Sequence, residues 1–446
     1  MEILIMAGQM LLGLSILVGL HEFGHFAAAK YFKIRVDKFY IFFDFLFPMP
    51  GVMNFALLKK KIGDTEYGLG WFPLGGYVAI HGMIDETTDA DQLSAEPQPD
   101  EFRSKPAWQR LIVMLGGIIM NVITGIIIFS ALTFKYGEEY LPATEVKYGV
   151  LPNALGQKIG FRTGDKIVKI NGRPFTEFDD VYKPDVLIGQ NGYYTVDRAG
   201  QLVDIRVPVD FMDQLSDKNQ TPFVLPLNPF EVGQVSPGSP AAKAGVQVGD
   251  QILMVGNQDT RFFPQLQEAL KANANKETPL TIKRGTETLT LTAKIDEDGK
   301  LGFMPKSLLR SSTRTYGLVE SVPVGTKKAF GVITTQLTAF GKIFRGEASA
   351  RKSLGGPMAI AQQYGGSWDW EHFWLLTGML SMVLAFMNLL PIPALDGGHV
   401  TFLLYEMVAG RKPSDAFLEN AQKVGMVMIL GLMVFVIFND AIKAIF

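Results

Sequence analysis

The chain has no cysteine among its 446 residues. That excludes a disulfide framework and any thiolate metal site, so a bound metal would need His, Asp or Glu. Histidine is itself scarce, with five in all. Net charge is close to zero, −2 from 42 Lys and Arg against 44 Asp and Glu, which gives no basis for nucleic-acid binding. The first segment lacks a basic n-region and an Ala-x-Ala cleavage site, so it reads as retained rather than as a removable signal peptide. Charge is absent altogether from residues 3–20. What the chain has in plenty is apolar sequence: 48% of its residues are hydrophobic and its mean hydropathy is positive.

That apolar sequence is concentrated in four stretches suited to crossing a bilayer. They are residues 3–31, 111–134, 373–390 and 424–438, the last reaching full length when extended to 421–440. Lys30, Lys33, Arg35 and Lys38 follow the first, and Lys105 and Arg110 precede the second. Arg411, Lys412 and Lys423 lie between the third and fourth. Lys and Arg in short loops mark the cytoplasmic side. Both termini and the long stretch 136–372 are therefore expected outside the cytoplasm.

The uncharged first run closes on His21-Glu22-Phe23-Gly24-His25. In His-Glu-x-x-His the histidines share one helical face, and the glutamate beside them can activate water. A charged residue inside a membrane helix costs on the order of 2.5–3.5 kcal/mol, so such a cluster points to a function. Two histidines leave a catalytic zinc site one protein ligand short. The candidate third is Asp396, in Asn388-Leu389-Leu390-Pro391-Ile392-Pro393-Ala394-Leu395-Asp396-Gly397-Gly398. A carboxylate at the end of an apolar segment is costly without a cation. Pro391 and Pro393 break a helix, which membranes tolerate where backbone lines a polar cavity. The histidines come roughly 27–33 Å along an inward-running helix. Asp396 comes at the end of a second inward-running span, so the two groups are expected at similar depth.

The long extracytoplasmic stretch contains an internal repeat. Gly160, Gly164-Asp165 and Ile167 align with Gly245, Gly249-Asp250 and Ile252 at an offset of 85, and Thr195–Arg198 aligns with Thr281–Arg284 at 86. Gly-Asp before an alternating apolar run reads as a turn into a half-buried strand. The Gly-x-x-x-Gly-Asp-x-Ile pattern resembles PDZ domains, as does Ser239-Pro240-Ala241-Ala242. Farther on, residues 316–351 mix apolar and basic positions at helical spacing, which suggests amphipathic helices at the membrane surface.

Taken together, these motifs resemble the site-2 protease family of intramembrane zinc metalloproteases. Two PDZ-like domains between the second and third spans resemble its bacterial regulator-of-sigma-E branch, and the likeness covers nearly the whole chain. The resemblance implies one Zn2+ per chain bound by His21, His25 and Asp396, with Glu22 as general base. It implies that Asn388 helps hold substrate and that residues 67–78 form a Gly-rich, membrane-associated β-hairpin. Gly70, Gly75 and Gly76, with Pro391 and Pro393, are the further expected substrate-contacting positions. An exposed strand edge there could pair with an unwound substrate. Ser353-Leu354-Gly355-Gly356-Pro357 matches another family segment. One departure stands out: the family's Gly-Phe-Gly-Pro-like stretch is replaced by Phe39-Tyr40-Ile41-Phe42-Phe43-Asp44-Phe45-Leu46-Phe47-Pro48. That leaves the path of the first cytoplasmic loop open.

The expected architecture is a polytopic α-helical membrane protein with four transmembrane helices, the β-hairpin and two extracytoplasmic PDZ-like α+β domains. Its parts are a first membrane portion (1–140), PDZ-like domains (141–222 and 223–310), an amphipathic membrane-surface segment (311–372) and a second membrane portion (373–446). The implied location is the cytoplasmic membrane. The implied partners are single-span membrane proteins, among them anti-sigma factors already shortened by another protease and leftover signal peptides. Extracytoplasmic peptide or domain ends at the PDZ-like domains, and the lipid bilayer, complete the set. His399 is either a further ligand or a neighbour of the site, and His81 and His372 read as surface or interfacial residues. Asn121 either packs a helix interface or contacts substrate, and Asn439 and Asp440 read as an interfacial helix end. A non-catalytic PDZ membrane adaptor is the competing reading, against which the intact Glu22 argues. A zinc transporter would call for further charged intramembrane residues.

Overall fold

The computed structural model describes residues 1–45, 53–73, 75–83, 96–187, 191–208, 211, 222–346 and 355–445. Residues 46–48 of the departing stretch, Leu74 and Ser353-Leu354 lie outside them. The chain divides into two compact units. One joins Met1–Gly137 to Thr315–Phe446, and the other is Glu138–Arg314.

Among the described residues, four helices of the first unit are long and apolar enough to cross a membrane. They are α1 (Glu2–Tyr31), α2 (Ala107–Tyr136), α5 (Trp370–Leu389) and most of α7 (Asp415–Ile445). Helices α3 (Leu318–Phe344), α4 (Pro357–Tyr364) and α6 (Asp396–Ala409) accompany them. The centre of the unit is α2, which packs against α1, α3, α5 and α6. Its glycines make this possible. A Cβ at Gly24 of α1 would fall on the backbone of Gly116, and one at Gly116 on the backbone of Gly24. The two helices therefore touch main chain to main chain.

The third span does not continue as one helix past Asp396. Helix α5 ends at Leu389, the proline-bearing turn follows with Ala394 at φ +77°, and α6 starts afresh at Asp396. Neither proline can donate to a helical ladder, so the break is local chemistry. Arg110 near the start of α2 and Glu406 of α6 form an ion pair at 2.5 Å.

The segment expected over the membrane surface contains α3, which lies lengthwise along α2 and α5. Gly325 sits against Ser130, Ala329 packs with Phe129 and Met382, and Phe340 meets Phe386. Asp440 is not a simple interfacial helix end. It is buried, and its carboxylate accepts the backbone N–H groups of Gly356, Met358 and Ala359 at 3.0–3.2 Å, capping α4. At the start of the chain, the buried Gln9 side chain donates to the Gly365 carbonyl at 3.0 Å.

Between α1 and α2 lies a four-stranded sheet of β1 (Val36–Ile41), β2 (Ala56–Ile62), β3 (Thr65–Gly70) and β4 (Tyr77–Ile80), in the order β2-β3-β1-β4. Residues 67–78 are therefore not a hairpin closed on itself. Strands β3 and β4 both pair with β1, the first parallel and the second antiparallel. Phe39–Ile41 of the aromatic stretch form the second half of β1. Glycine is needed alongside it: a Cβ at Gly68 would strike the Tyr40 ring, and one at Gly70 the Phe42 and Phe43 carbonyls.

The second unit shows the sequence repeat as structure. Strands β7 (Lys166–Ile170), β8 (Arg173–Pro174), β9 (Tyr193–Arg198) and β10 (Gln201–Arg206) form a sheet in the order β10-β9-β7-β8. Strands β13 (Gln251–Val255), β14 (Gln258–Asp259), β15 (Glu277–Arg284) and β16 (Glu287–Lys294) form another, in the order β14-β13-β15-β16. Each packs on a separate apolar core. Strands β5 (Glu138–Tyr140) and β18 (Ser312–Arg314) pair and bring the ends of the unit together. The repeated Asp is the keystone of each copy. Asp165 and Asp250 are buried and take two hydrogen bonds from Arg198 and Arg284, at 2.7–2.8 Å. Each Arg also donates to a carbonyl of the preceding turn, Gly160 or Gly245.

Burial alone raises the Asp250 pKa, but Arg284 and the Gln247 amide outweigh it and hold the carboxyl below its ordinary range. A depressed carboxyl contributes stability that is complete above the unfolded-state pKa of about 3.9 and is lost as pH falls through the lower folded-state value. In the full-length protein, Asp250→Asn should speed hydrogen exchange across β13 and β15 at neutral pH. The gap from the parent should narrow below about pH 4. A gap undiminished there would exclude the carboxylate–guanidinium pair as its source.

Candidate active site

Helix α1 carries His21, Glu22 and His25 into the wall of a cavity of about 380 Å³, and the α5–α6 turn brings Asn388 and Asp396 to the same cavity. Gly75, Gly76, Tyr77 and Val78 complete one side, so the outer strand β4 borders the site. His21 and His25, far from Asp396 in sequence, come together with it in space.

Their donor atoms converge closely. His21 Nε2 and His25 Nε2 stand 3.2 and 3.3 Å from Asp396 Oδ2, and 3.3 Å from each other. Asp396 Oδ2 is buried and makes no hydrogen bond of proper geometry. Three inward-aimed acceptors without a shared proton are what a cation would need. Ligands at about 2.0–2.1 Å in a tetrahedron lie roughly 3.3–3.4 Å apart, which matches this triangle. Among the described residues it is the one such cluster of His, Asp and Glu. His399 lines the cavity without joining it.

The ring orientations come from α2. His25 Nδ1 is 2.8 Å from the Val113 carbonyl, which can only accept, so Nδ1 carries the proton and Nε2 presents its lone pair to the triangle. The side chain of Asn121 lies 3.1 Å from His21 Nδ1. A Cβ at Gly117 would occupy the space of both imidazoles. Val113, Gly117 and Asn121 are spaced i, i+4, i+8 and form one stripe. Of these, the sequence drew attention to Asn121 alone and left its role open. The four-residue spacing of Gly117 and Asn121 in an uncharged span was the available signal.

Asn388 stands beside the triangle, its Nδ2 3.4 Å from His21 Nε2. Gly70, Pro391 and Pro393 do not line the cavity. Gly70 is buried against the turn after β1, and Pro393 lies against Gly425 of α7.

Residues 9–432 match the family model described as peptidase family M50. The chain belongs to that family. This M50 peptidase is 27% identical to regulator of sigma E protease from Haemophilus influenzae, with 98% of each chain covered. A Neisseria meningitidis protein named as a candidate zinc metalloprotease is 27% identical over 96% of this chain and 97% of its own. Protease RseP of Yersinia pestis is 26% identical over 99% of each. With four apolar helices, this M50 peptidase is a multi-pass membrane protein.

The fit of the imidazoles against Gly117 has a direct consequence. Gly117→Ala should strip bound divalent metal from the purified protein, measured by elemental analysis, while α-helical content stays near that of the parent. Undiminished metal in that variant would show that the ion is held elsewhere.

Proposed function

We propose that this M50 peptidase is an intramembrane zinc metalloendopeptidase that cleaves single-span membrane proteins. The observation that carries this reading is the His21–His25–Asp396 triangle, facing a cavity bordered by an open strand edge within a bundle of apolar helices. Zinc suits the donor set of two neutral imidazoles and one carboxylate, and the names of relatives support it. When bound, zinc supplies Lewis acidity towards water and the peptide carbonyl.

The remaining steps belong to the chain's own groups. The Glu22 carboxylate, one residue from His21 and facing the same cavity, takes a proton from the attacking water and delivers it to the departing amide nitrogen. The Asn388 amide, beside His21, donates to the carbonyl of the bond under attack. The substrate must first be unwound, because a helix hides its peptide bonds. Among the described residues, strand β4 is the outer strand on the cavity side, and its edge offers pairing to an extended segment. Gly75 and Gly76, just before β4, line the cavity, and their missing side chains let the Phe43 ring, Val18 and the Tyr40 carbonyl close in behind the strand.

In this reading the repeats of the second unit are PDZ-like domains outside the cytoplasmic membrane, and both termini lie on that side. Relatives are named for regulation of sigma E. The substrates we infer are anti-sigma factors already trimmed by another protease, together with remnant signal peptides. The PDZ-like pair then screens out substrates that still carry a bulky outer domain.

Purified protein should cleave a trimmed single-span substrate in detergent. Glu22→Gln should retain zinc but lose activity by about 10²–10⁴-fold, and chelation should abolish it. Cleavage that survives Glu22→Gln would exclude the mechanism, and cells that need the protein but tolerate this variant would point to an adaptor. Deleting residues 149–296 should relax the requirement for prior trimming, as judged by cleavage of an untrimmed substrate. An unchanged requirement would exclude the screening role.

A further inference from the structure

We infer that Asn121 is a positioning residue that fixes His21 in the tautomer able to bind metal, by accepting the Nδ1 proton through its side-chain carbonyl. The inference rests on the metal site proposed above. Asn121 is fully buried in the middle of α2. Ser381 of α5 holds its backbone carbonyl at 2.7 Å, so its place on the helix is fixed by a second helix. The amide contacts His21 Nδ1 at 3.1 Å through Nδ2, while its Oδ1 is buried without a hydrogen-bond partner.

That orientation conflicts with the triangle. If Nδ2 donates to Nδ1, the imidazole proton moves to Nε2 and points at Asp396 Oδ2 and His25 Nε2. Nε2 then cannot be a ligand, although it is the nitrogen that the triangle contains. The oxygen and nitrogen of an amide are told apart by their hydrogen bonds alone. Turning the amide end for end pairs Oδ1 with the Nδ1 proton and frees Nε2. One half-turn satisfies the orphaned oxygen and completes the donor set. Val113 does the same for His25 through a backbone carbonyl, so a single helix sets both tautomers. The His21 partner is a side chain and can be replaced.

The test is zinc affinity, measured on the full-length protein in detergent by competition with a chromophoric chelator. The parent, Asn121→Leu and Asn121→Asp are compared, with Asp396→Ala as the blank. Orientation through an acceptor predicts that Leu, which fills the same space without an oxygen, loses about 10–100-fold in affinity. Asp keeps the acceptor and should stay within about threefold of the parent. Cobalt-loaded Asn121→Leu should show altered visible bands, and the Asp variant the parent's. A purely packing role predicts the reverse order, because Leu suits a helix interface and a buried Asp does not. Leu binding zinc like the parent, or Asp losing as much as Leu, overturns the inference. A parent that binds no more zinc than Asp396→Ala overturns the metal site itself.

Discussion

The structure is organised around the difficulty of holding two imidazoles and a carboxylate together among apolar helices. In water such groups would be solvated separately. Inside the bundle each needs a partner, and the buried Oδ2 of Asp396 has none of its own. A shared cation resolves this at one point, provided that the rings cannot turn away. One stripe of α2 serves that end. Gly116 lets α1 approach to main-chain contact, Gly117 leaves room for the rings, and Val113 and Asn121 stand at their outer nitrogens. A larger residue at either glycine would push α1 outwards and open the triangle.

The four-stranded sheet between α1 and α2 treats its two edges differently. Strand β2 is almost wholly exposed and carries Lys59, Lys60 and Lys61. Lysines along an outer strand discourage pairing with another chain. Strand β4 carries no charge and lies at the cavity. An unwound segment in an apolar setting leaves peptide groups unsatisfied, at several kcal/mol each. A strand edge beside the site answers that cost where it arises. In the proposed function, the unequal edges steer an extended chain to the side on which chemistry is available.

Much of this was legible in the chain because the chemistry is dense in short motifs. His21, Glu22, His25 and Asp396 announce themselves as ionisable groups in apolar surroundings, and long apolar runs mark the spans. The repeat was legible because Asp165 and Asp250 are each clamped by an Arg that repeats with them. Pairing order within the sheet was not legible. Residues 65–70 and 77–80 look like the two arms of a hairpin, and only the packing of Tyr40 and Phe43 against glycines places β1 between them. Asp440 was misread for a related reason. Its partners are three amides some 80 residues earlier, and a local pattern carries no trace of them.

Asp396 depends on more than its own turn. The Pro391–Pro393 break leaves the start of α6 without a continuous helix behind it, so the loop needs outside support. Arg110 supplies it on the α2 side, through Glu406 of α6. Helix α7 supplies it from the other side: a Cβ at Gly425 would fall on the Pro393 carbonyl, and Phe417 packs on Phe402 of α6. At its far end α7 is tied again, through Asp440 to the cap of α4. A helix otherwise turned towards its surroundings is thus fixed at both ends, and one of those ends presses on the turn that carries the third member of the triangle. Pro391 and Pro393, which do not line the cavity, make the turn that these neighbours hold still.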